Sequence, residues 1–511
     1  MGSEQQNGVR YFTKHNKKDN PSPEDIVYLS KSHFIRGLQC HKSLYLNKYY
    51  PELKDAIPPS REAVFKAGIQ VGIFAQGLFP DGLNIPYGPD SFEKQIKLTR
   101  EAIDKGIETI YEASFRHDGV FVKIDILHKG KSGWEIYEVK SSTSLKDIYI
   151  PDAAVQYYVA KGAGLEVSGV FLIHVNNRYV RKGDIEVEKL FTINDVTYEV
   201  ARMQDMVEGE IAAQKIMLKG GIPKTDIGQY CREPYDCDFI GHCWRHIPDD
   251  SVFEIKGSRS FPFTLYKNGI VHMKDVPVYM LSHNQIIQVE AAIEKKTFAS
   301  KESIRDFVDA LWYPQCFLDF ETFSSPIPPL DGTRPYQQIP YQYSLHIIED
   351  EGSEPVHHEY LAYPKKDPRR ELISKLLSEI PEGACVIAYV ADFEKSVLND
   401  LAEYFPEFKP RIRAITEGMV DLALPFQKRY LYDWRFKGSY SLKVILPVIV
   451  PDLSYAGMEI HDGGVAMQAY EKLHASVDPL ETQRIRKALL EYCRLDTWAM
   501  VRIVKKLKEI I

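Results

Sequence analysis

At 511 residues, 44% hydrophobic and 12% aromatic, the chain has the apolar material for a large core and is expected to hold at least two domains. Its net charge of -7 excludes a uniformly basic surface that coats nucleic acid. It does not exclude a nuclease, because sites that hold divalent cations concentrate carboxylates while basic patches stay local.

No run approaches the roughly 20 uncharged apolar residues of a membrane helix. The opening MGSEQQNGVRYFTKHNKKDNPSPED lacks the apolar stretch of a secretory signal, and Gln6 stands where a myristoylation motif has Ser or Thr. Residues 1–28 therefore read as a polar flexible tail, and a cytoplasmic protein without membrane association is expected. In that compartment cysteines serve as ligands, core residues or reactive thiols rather than disulfide partners. Cys40 lies early, in FIRGLQCHKSLYL, far ahead of Cys231, Cys237 and Cys243, which fall with five residues in each gap of YCREPYDCDFIGHCW. One remote and three regular thiols suggest a four-thiolate site that ties the two ends of a domain together. A [4Fe-4S] cluster takes such a set. Zn2+ is the alternative, with His41 and His242 close by in sequence, and unrelated buried thiols are the plain one. Cys316, Cys385 and Cys493 sit in apolar segments and read as small core residues.

Between these cysteines, GVFVKIDILHKGKSGWEIYEVK predicts a hairpin of two strands, Val120 to Leu127 and Trp134 to Lys140, around a Gly-rich turn. A turn centred near Lys131 sets Asp125 across from the neighbourhood of Glu138, and alternation puts Glu138 and Lys140 on one face. Two carboxylates can hold Mg2+ or Mn2+ against a phosphodiester and help generate hydroxide, while the ammonium orients water or offsets developing charge. A surface hairpin with solvated charges is the simpler alternative. Asp125, Glu138-x-Lys140 and Gln156 in the helix-like DAAVQYYVAKGAG, bracketed by Cys40 and the later triplet, resemble the RecB-like PD-(D/E)XK nucleases. Within them the pattern is similar to the iron-sulfur branch that includes the AddB-type nuclease and the CRISPR adaptation exonucleases. The resemblance covers residues 29–246. It implies a restriction-endonuclease-like lobe, catalytic Asp125, Glu138, Lys140 and Gln156, a metal ion on Asp125 and Glu138, and a cluster on Cys40, Cys231, Cys237 and Cys243. Two positions depart from the family: Ile69 stands where a Gly-His segment has its histidine, and Ala160 where a Gln-x-x-x-Tyr element has its tyrosine.

Residues 247–311 read as a connecting subdomain without catalytic motifs, mostly helical and charged after residue 282. The strand CFLDFETF then brings Asp319 and Glu321 to one face. The order that follows is strand YQYSLHII, strand HHEYLAY, helix DPRRELISKLLSEI, strand ACVIAYV and helix ADFEKSVLNDLAEYF. It predicts a mixed sheet flanked by helices. In the last helix Tyr492 and Asp496 are four apart and share a face.

Residues 312–511 thus resemble the DnaQ-like (RNase H-like fold) 3'-5' exonucleases of the DEDD type, in the subgroup ending in Tyr-x-x-x-Asp. The resemblance implies catalytic Asp319, Glu321, Glu394, Tyr492 and Asp496, with the four acids holding Mg2+ or Mn2+. In the middle motif, VADFE, Val390 replaces an asparagine and Glu394 an aspartate; Asp392 competes for the role, and Asp421 is a further supporting acid. Aromatic-rich GTRPYQQIPYQYS and YLYDWRFKGSYSLK carry rings that stack either on an unpaired strand or in the core. The expectation is a two-lobed α/β nuclease acting on DNA ends or single strands, in repair, recombination or defence. RNA or small phosphodiesters are alternative substrates, and a binding or assembly protein with decayed sites is the alternative class.

Overall fold

The computed structural model describes residues 27–57, 59–86, 92–364 and 366–511, so the polar tail up to residue 26 lies outside the described residues. The architecture is mixed α/β, with two larger mixed sheets and a two-stranded ribbon. The first sheet is built from β1 (Leu29–Ser30), β2 (Leu83–Asn84), β3 (Thr109–His117), β4 (Val120–Lys129), β5 (Trp134–Lys140), β6 (Val167–Val175) and β7 (Phe191–Asp195). β3 and β4 are joined by Asp118 and Gly119, both at positive φ, as a tight hairpin turn requires. The β4–β5 hairpin forms as expected, with Ile126 opposite Tyr137.

One edge of β4 is shared. Its first residues pair with β1 and its last with β5, so the sheet forks around Asp125. A capping box at Ser30 starts the helix Lys31–Gln39 in the same fork. The helices Ile150–Gly162 and Gln204–Lys219 bury Val155, Val159 and Ile211 against Val122 and Ile124 of β4. A smaller core around Tyr111, Ile126 and Ile173 includes Val71 and Ala75 of the helix Pro59–Ala75.

After β8 (Thr297–Ala299), the second sheet contains β9 (Gln315–Phe323), β10 (Ile339–Ile348), β11 (Val356–Leu361), β12 (Cys385–Ala388) and β13 (Val420–Asp421), in the order β11-β10-β9-β12-β13. The first two pairings are antiparallel and the last two parallel. The helices Asp392–Tyr404, Leu442–Ile449 and Pro479–Ile510 share one large core with it. Cys316, Cys385 and Cys493 are fully buried there. The aromatic segments divide in favour of packing: Tyr341, Tyr343, Tyr432 and Phe436 are core, while Tyr440 is exposed.

Residues 247–311 have a small core of their own around Val252, Leu265 and Met273. Their helices His283–Glu294 and Lys301–Asp309 also send Ile287, Ile304 and Phe307 into the second core, and β8 pairs with β14 (Leu431–Asp433). The loop from β9 to β10 reaches the other way: Ile327 joins the core on the first sheet, and the Tyr336 hydroxyl donates to the Ser141 carbonyl beside Lys140.

Candidate functional sites

The central strand β9 brings Asp319 and Glu321 to one face, and the last helix brings Asp496 to meet them; one oxygen of each lies within 4.8 Å of the other two. Among the described residues no other set of three such donors is this close. Glu394, in the first turn of the helix Asp392–Tyr404, is buried beside them, and its Oε2 has no hydrogen-bond partner. Asp392, the competing acid, is exposed. Asp421 has a different task, since its Oδ1 accepts from the N–H groups of Val390 and Ala423 at 2.9 and 2.8 Å and so fixes the approach to that helix. Val390 itself sits at φ +62°, a region β-branched residues resist and asparagine tolerates.

Burial and mutual repulsion govern the charges here. Burial, then Asp496, Glu394 and Glu321, push Asp319 well above the usual carboxylate range. Glu321 is pushed up to about 8 by burial and Asp496, with Lys443 opposing. Glu394 goes to about 8 through burial, then Asp421 and Asp496, despite a backbone hydrogen bond. Asp496 reaches about 6, raised by burial and held back by hydrogen bonding from Tyr455, by Lys443 and by Tyr492. The Tyr455 hydroxyl donates to Asp496 Oδ1, and the Cys493 thiol donates to Asp319 Oδ2 at 3.4 Å. A cluster of buried carboxylates with an orphaned oxygen and one nearby ammonium fits hard divalent cations, which take oxygen donors.

These acids bind protons more tightly in the folded chain than in the unfolded one. The contribution of Glu321, Glu394 and Asp496 to stability therefore falls as pH rises from about 4 to about 8. Divalent cations compete with the same protons. Mn2+ is expected to raise the melting temperature more at pH 8 than at pH 5.5, by about 5–10 °C when the ion is near a hundredfold over its dissociation constant. Equal shifts at both pH values, read by scanning calorimetry, would remove these acids as the ligands.

An open cleft of about 610 Å³ leads to Asp319, Glu321 and Asp496. Its wall includes Ser439, Ser441 and Lys443, and also Lys256. The segment read as a connecting subdomain thus sends one lysine to this cleft.

In the first sheet, the fork assembles the other candidate group. Where β4 and β5 part, Asp125 Oδ2 accepts from the Val139 N–H at 2.7 Å. Glu138 is buried and accepts from Lys140 Nζ at 2.8 Å and Gln156 Nε2 at 2.5 Å, so these residues meet as expected. Sequence reasoning missed Lys31 and Asp152. Lys31 Nζ donates to both Glu138 oxygens, at 2.8 and 3.0 Å, and Lys140 also pairs with Asp152. Burial and Glu138 push Asp125 up to about 7, opposed chiefly by Lys31. Burial acts upward on Glu138 too, but the Lys140 and Lys31 ammoniums hold it well below the usual range. Ile69 is exposed on the helix Pro59–Ala75.

Three acids and two lysines leave this group close to charge balance, with Lys31 on the carboxylate a cation would use. In an Asp319→Asn background, Lys31→Ala is expected to tighten Mn2+ binding at this group about tenfold, as measured by calorimetric titration. Unchanged affinity would show that Lys31 does not compete for that position.

Cys40, Cys231, Cys237 and Cys243 line one cavity with Ser43, Tyr230 and Phe239. Cys40 sits at the junction of the helices Lys31–Gln39 and His41–Tyr49, so two distant segments meet there. Neither His41 nor His242 is among the lining residues, and His41 Nε2 is engaged by Glu210 at 2.6 Å. Among the described residues, no three of these sulfurs lie within 4.8 Å of one another. Tetrahedral zinc at about 2.3 Å from each sulfur needs sulfurs about 3.8 Å apart.

Residues 316–441 match a family described as a domain of unknown function (DUF2779), a span that holds Asp319, Glu321 and Glu394 but ends before Asp496. The chain is similar to uncharacterized protein MG366 of Mycoplasma genitalium, 24% identical over 241 residues. It is also similar to the MG366 homolog of Mycoplasma pneumoniae, 26% identical over 238 residues. These matches cover 44% and 43% of this chain and 36% of each relative, so they span about a third of the relatives' length. A solved structure described as the crystal structure of SSO0001 is similar at 13% identity, covering 45% of this chain and 88% of that one, with a TM-score of 0.22.

Proposed function

We propose that the chain is a divalent-cation-dependent nuclease whose principal site is formed by Asp319, Glu321, Glu394 and Asp496, and that it removes nucleotides from the 3' end of single-stranded DNA. The observation that carries this reading is the convergence of Asp319, Glu321 and Asp496 at the foot of an open cleft, with buried Glu394, whose Oε2 has no partner, close enough to repel them. Such an arrangement is costly without cations and productive with them. The sheet order, two antiparallel pairings followed by two parallel ones with the acids on the central strand, supports an RNase H-like lobe.

When bound, a pair of Mg2+ or Mn2+ ions activates water and stabilises the leaving oxygen in an in-line displacement. The chain's own residues do the rest. Asp319, Glu321, Glu394 and Asp496 supply the holding oxygens, and Tyr455 fixes the orientation of the Asp496 carboxylate. Tyr492 orients the attacking water, and Lys443, over the Tyr492 and Tyr455 rings at 5.5 and 5.9 Å, offsets charge at the rim.

The first sheet we read as a RecB-like lobe with a [4Fe-4S] cluster on Cys40, Cys231, Cys237 and Cys243. Its Asp125, Glu138, Lys140 and Gln156 form a second nuclease site. Lys31 favours a secondary role for it, because it already neutralises Glu138. End-labelled oligonucleotides test the whole reading: with Mn2+, a 5'-labelled strand is expected to shorten stepwise from its 3' end. If neither DNA nor RNA strands shorten in any divalent cation, the reading falls.

A further inference from the structure

We infer that Lys256, from the segment between the two sheets, is a substrate-positioning residue of the acidic cleft, where it and Lys443 hold backbone phosphates of an entering single strand. This rests on the nuclease reading of the cleft and extends it to how the strand is held.

Four observations meet at this lysine. First, its backbone is fixed on both sides: the N–H donates to Gln288 Oε1 at 3.1 Å, and the carbonyl accepts from Gln285 Nε2 at 3.0 Å. Gln288 is buried and is itself held, donating to the Glu254 carbonyl at 2.7 Å and accepting from Arg429 at 3.1 Å. Second, the wall loop is shaped to take the lysine stem. Gly438 has φ +73°, and a Cβ there would lie 2.4 Å from Lys256 Cγ, so only glycine lets the loop lie against it. Third, the side chain is exposed and lines the same cleft as Asp319, Glu321 and Asp496.

Fourth, the neighbouring cations are ion-paired and Lys256 is not. Lys437 pairs with Glu254 at 3.2 Å and Arg435 with Asp433 at 2.7 Å. Among the described residues, Lys256 and Lys443 make no ion pair with a carboxylate. A cleft with an acidic floor repels a polyanion. An ammonium at its wall that is not already turned to those acids, as on Lys256, reverses that where phosphates pass. The Lys256 backbone is held by the side-chain amides of buried Gln288 and of Gln285, as positioning demands.

The test uses the full chain, a fluorescein-labelled single strand of 12 nucleotides, and Ca2+ to hold the complex without turnover. Fluorescence anisotropy is read across a salt series for wild type, Lys256→Ala and Lys256→Arg. Lys256→Ala is expected to bind about 5- to 10-fold more weakly. The slope of log affinity against log salt is expected to lose about 0.7, one phosphate contact to a single strand. Lys256→Arg should restore both, and under turnover with Mn2+ the loss in kcat/KM should be carried by KM. If wild type shortens the strand while Lys256→Ala keeps the affinity and the salt slope, the role of Lys256 is overturned and the nuclease reading stands. If wild type neither binds nor shortens the strand, both are overturned.

Discussion

Asp319→Asn is expected to abolish metal-dependent release of nucleotides from a 3' end, with kcat down by about a thousandfold or more. Asp319 stands on the central strand between Glu321 and Asp496, and its carboxylate is the one that all three other acids repel. A shared ligand at the centre of a cation site cannot be replaced by an amide, which has a single oxygen and no charge. The same substitution should raise the melting temperature of the metal-free protein, because it keeps the shape and removes one of the repelling charges. Activity lost while stability is gained is the signature of a binding site, whereas a structural carboxylate would show both lost together. Strand shortening by Asp319→Asn at the wild-type rate would overturn the assignment.

Cys237→Ala is expected to have the larger effect on folding. Cys237 and Cys40 line one cavity from segments almost 200 residues apart in sequence, so a group bound to the thiols ties the start of the first sheet's domain to its end. Binding energy at such a junction is folding energy. Purified without oxygen, the wild type is expected to be brown, with about four irons per chain for one [4Fe-4S] cluster. Cys237→Ala should lose that colour and melt at least about 10 °C lower. Cys385→Ala, which removes a buried thiol of the second core, should keep the iron. A colourless wild type with one zinc per chain would overturn the cluster.

Much of both candidate groups was legible in the sequence because they rest on local periodicity. Asp319 and Glu321 share a face by strand alternation, Tyr492 and Asp496 by helix pitch, and the Gly-rich turn near Lys131 fixes the register that brings Asp125 to Glu138. The order of strands and helices in the second half followed from the same periods. What stayed hidden depends on partners no period relates. Lys31 reaches Glu138 only because β1 adds to the free edge of β4, a two-residue pairing that leaves no pattern. Tyr455 lies in an irregular stretch, and Lys256 enters the cleft because two glutamines of a separate helix turn it there. Cys493 was legible as a core residue by its apolar setting, but its contact with Asp319 came from the crossing of the last helix over β9. Between Glu394 and its competitor Asp392 no ranking by burial was legible in the sequence; the first is buried and the second exposed on one helical turn.

The loop between β9 and β10 starts two residues beyond Glu321 and ends its reach at Ser141, next to Lys140. On the way it seats Ile327 in the first sheet's core and receives Arg181 on the carbonyls of Pro328 and Pro329 at 3.0 and 2.9 Å. A hinge between the halves would have to expose an isoleucine and break these contacts together. The spacing of the two acidic groups is therefore tied to this one loop, and changes only when its contacts break.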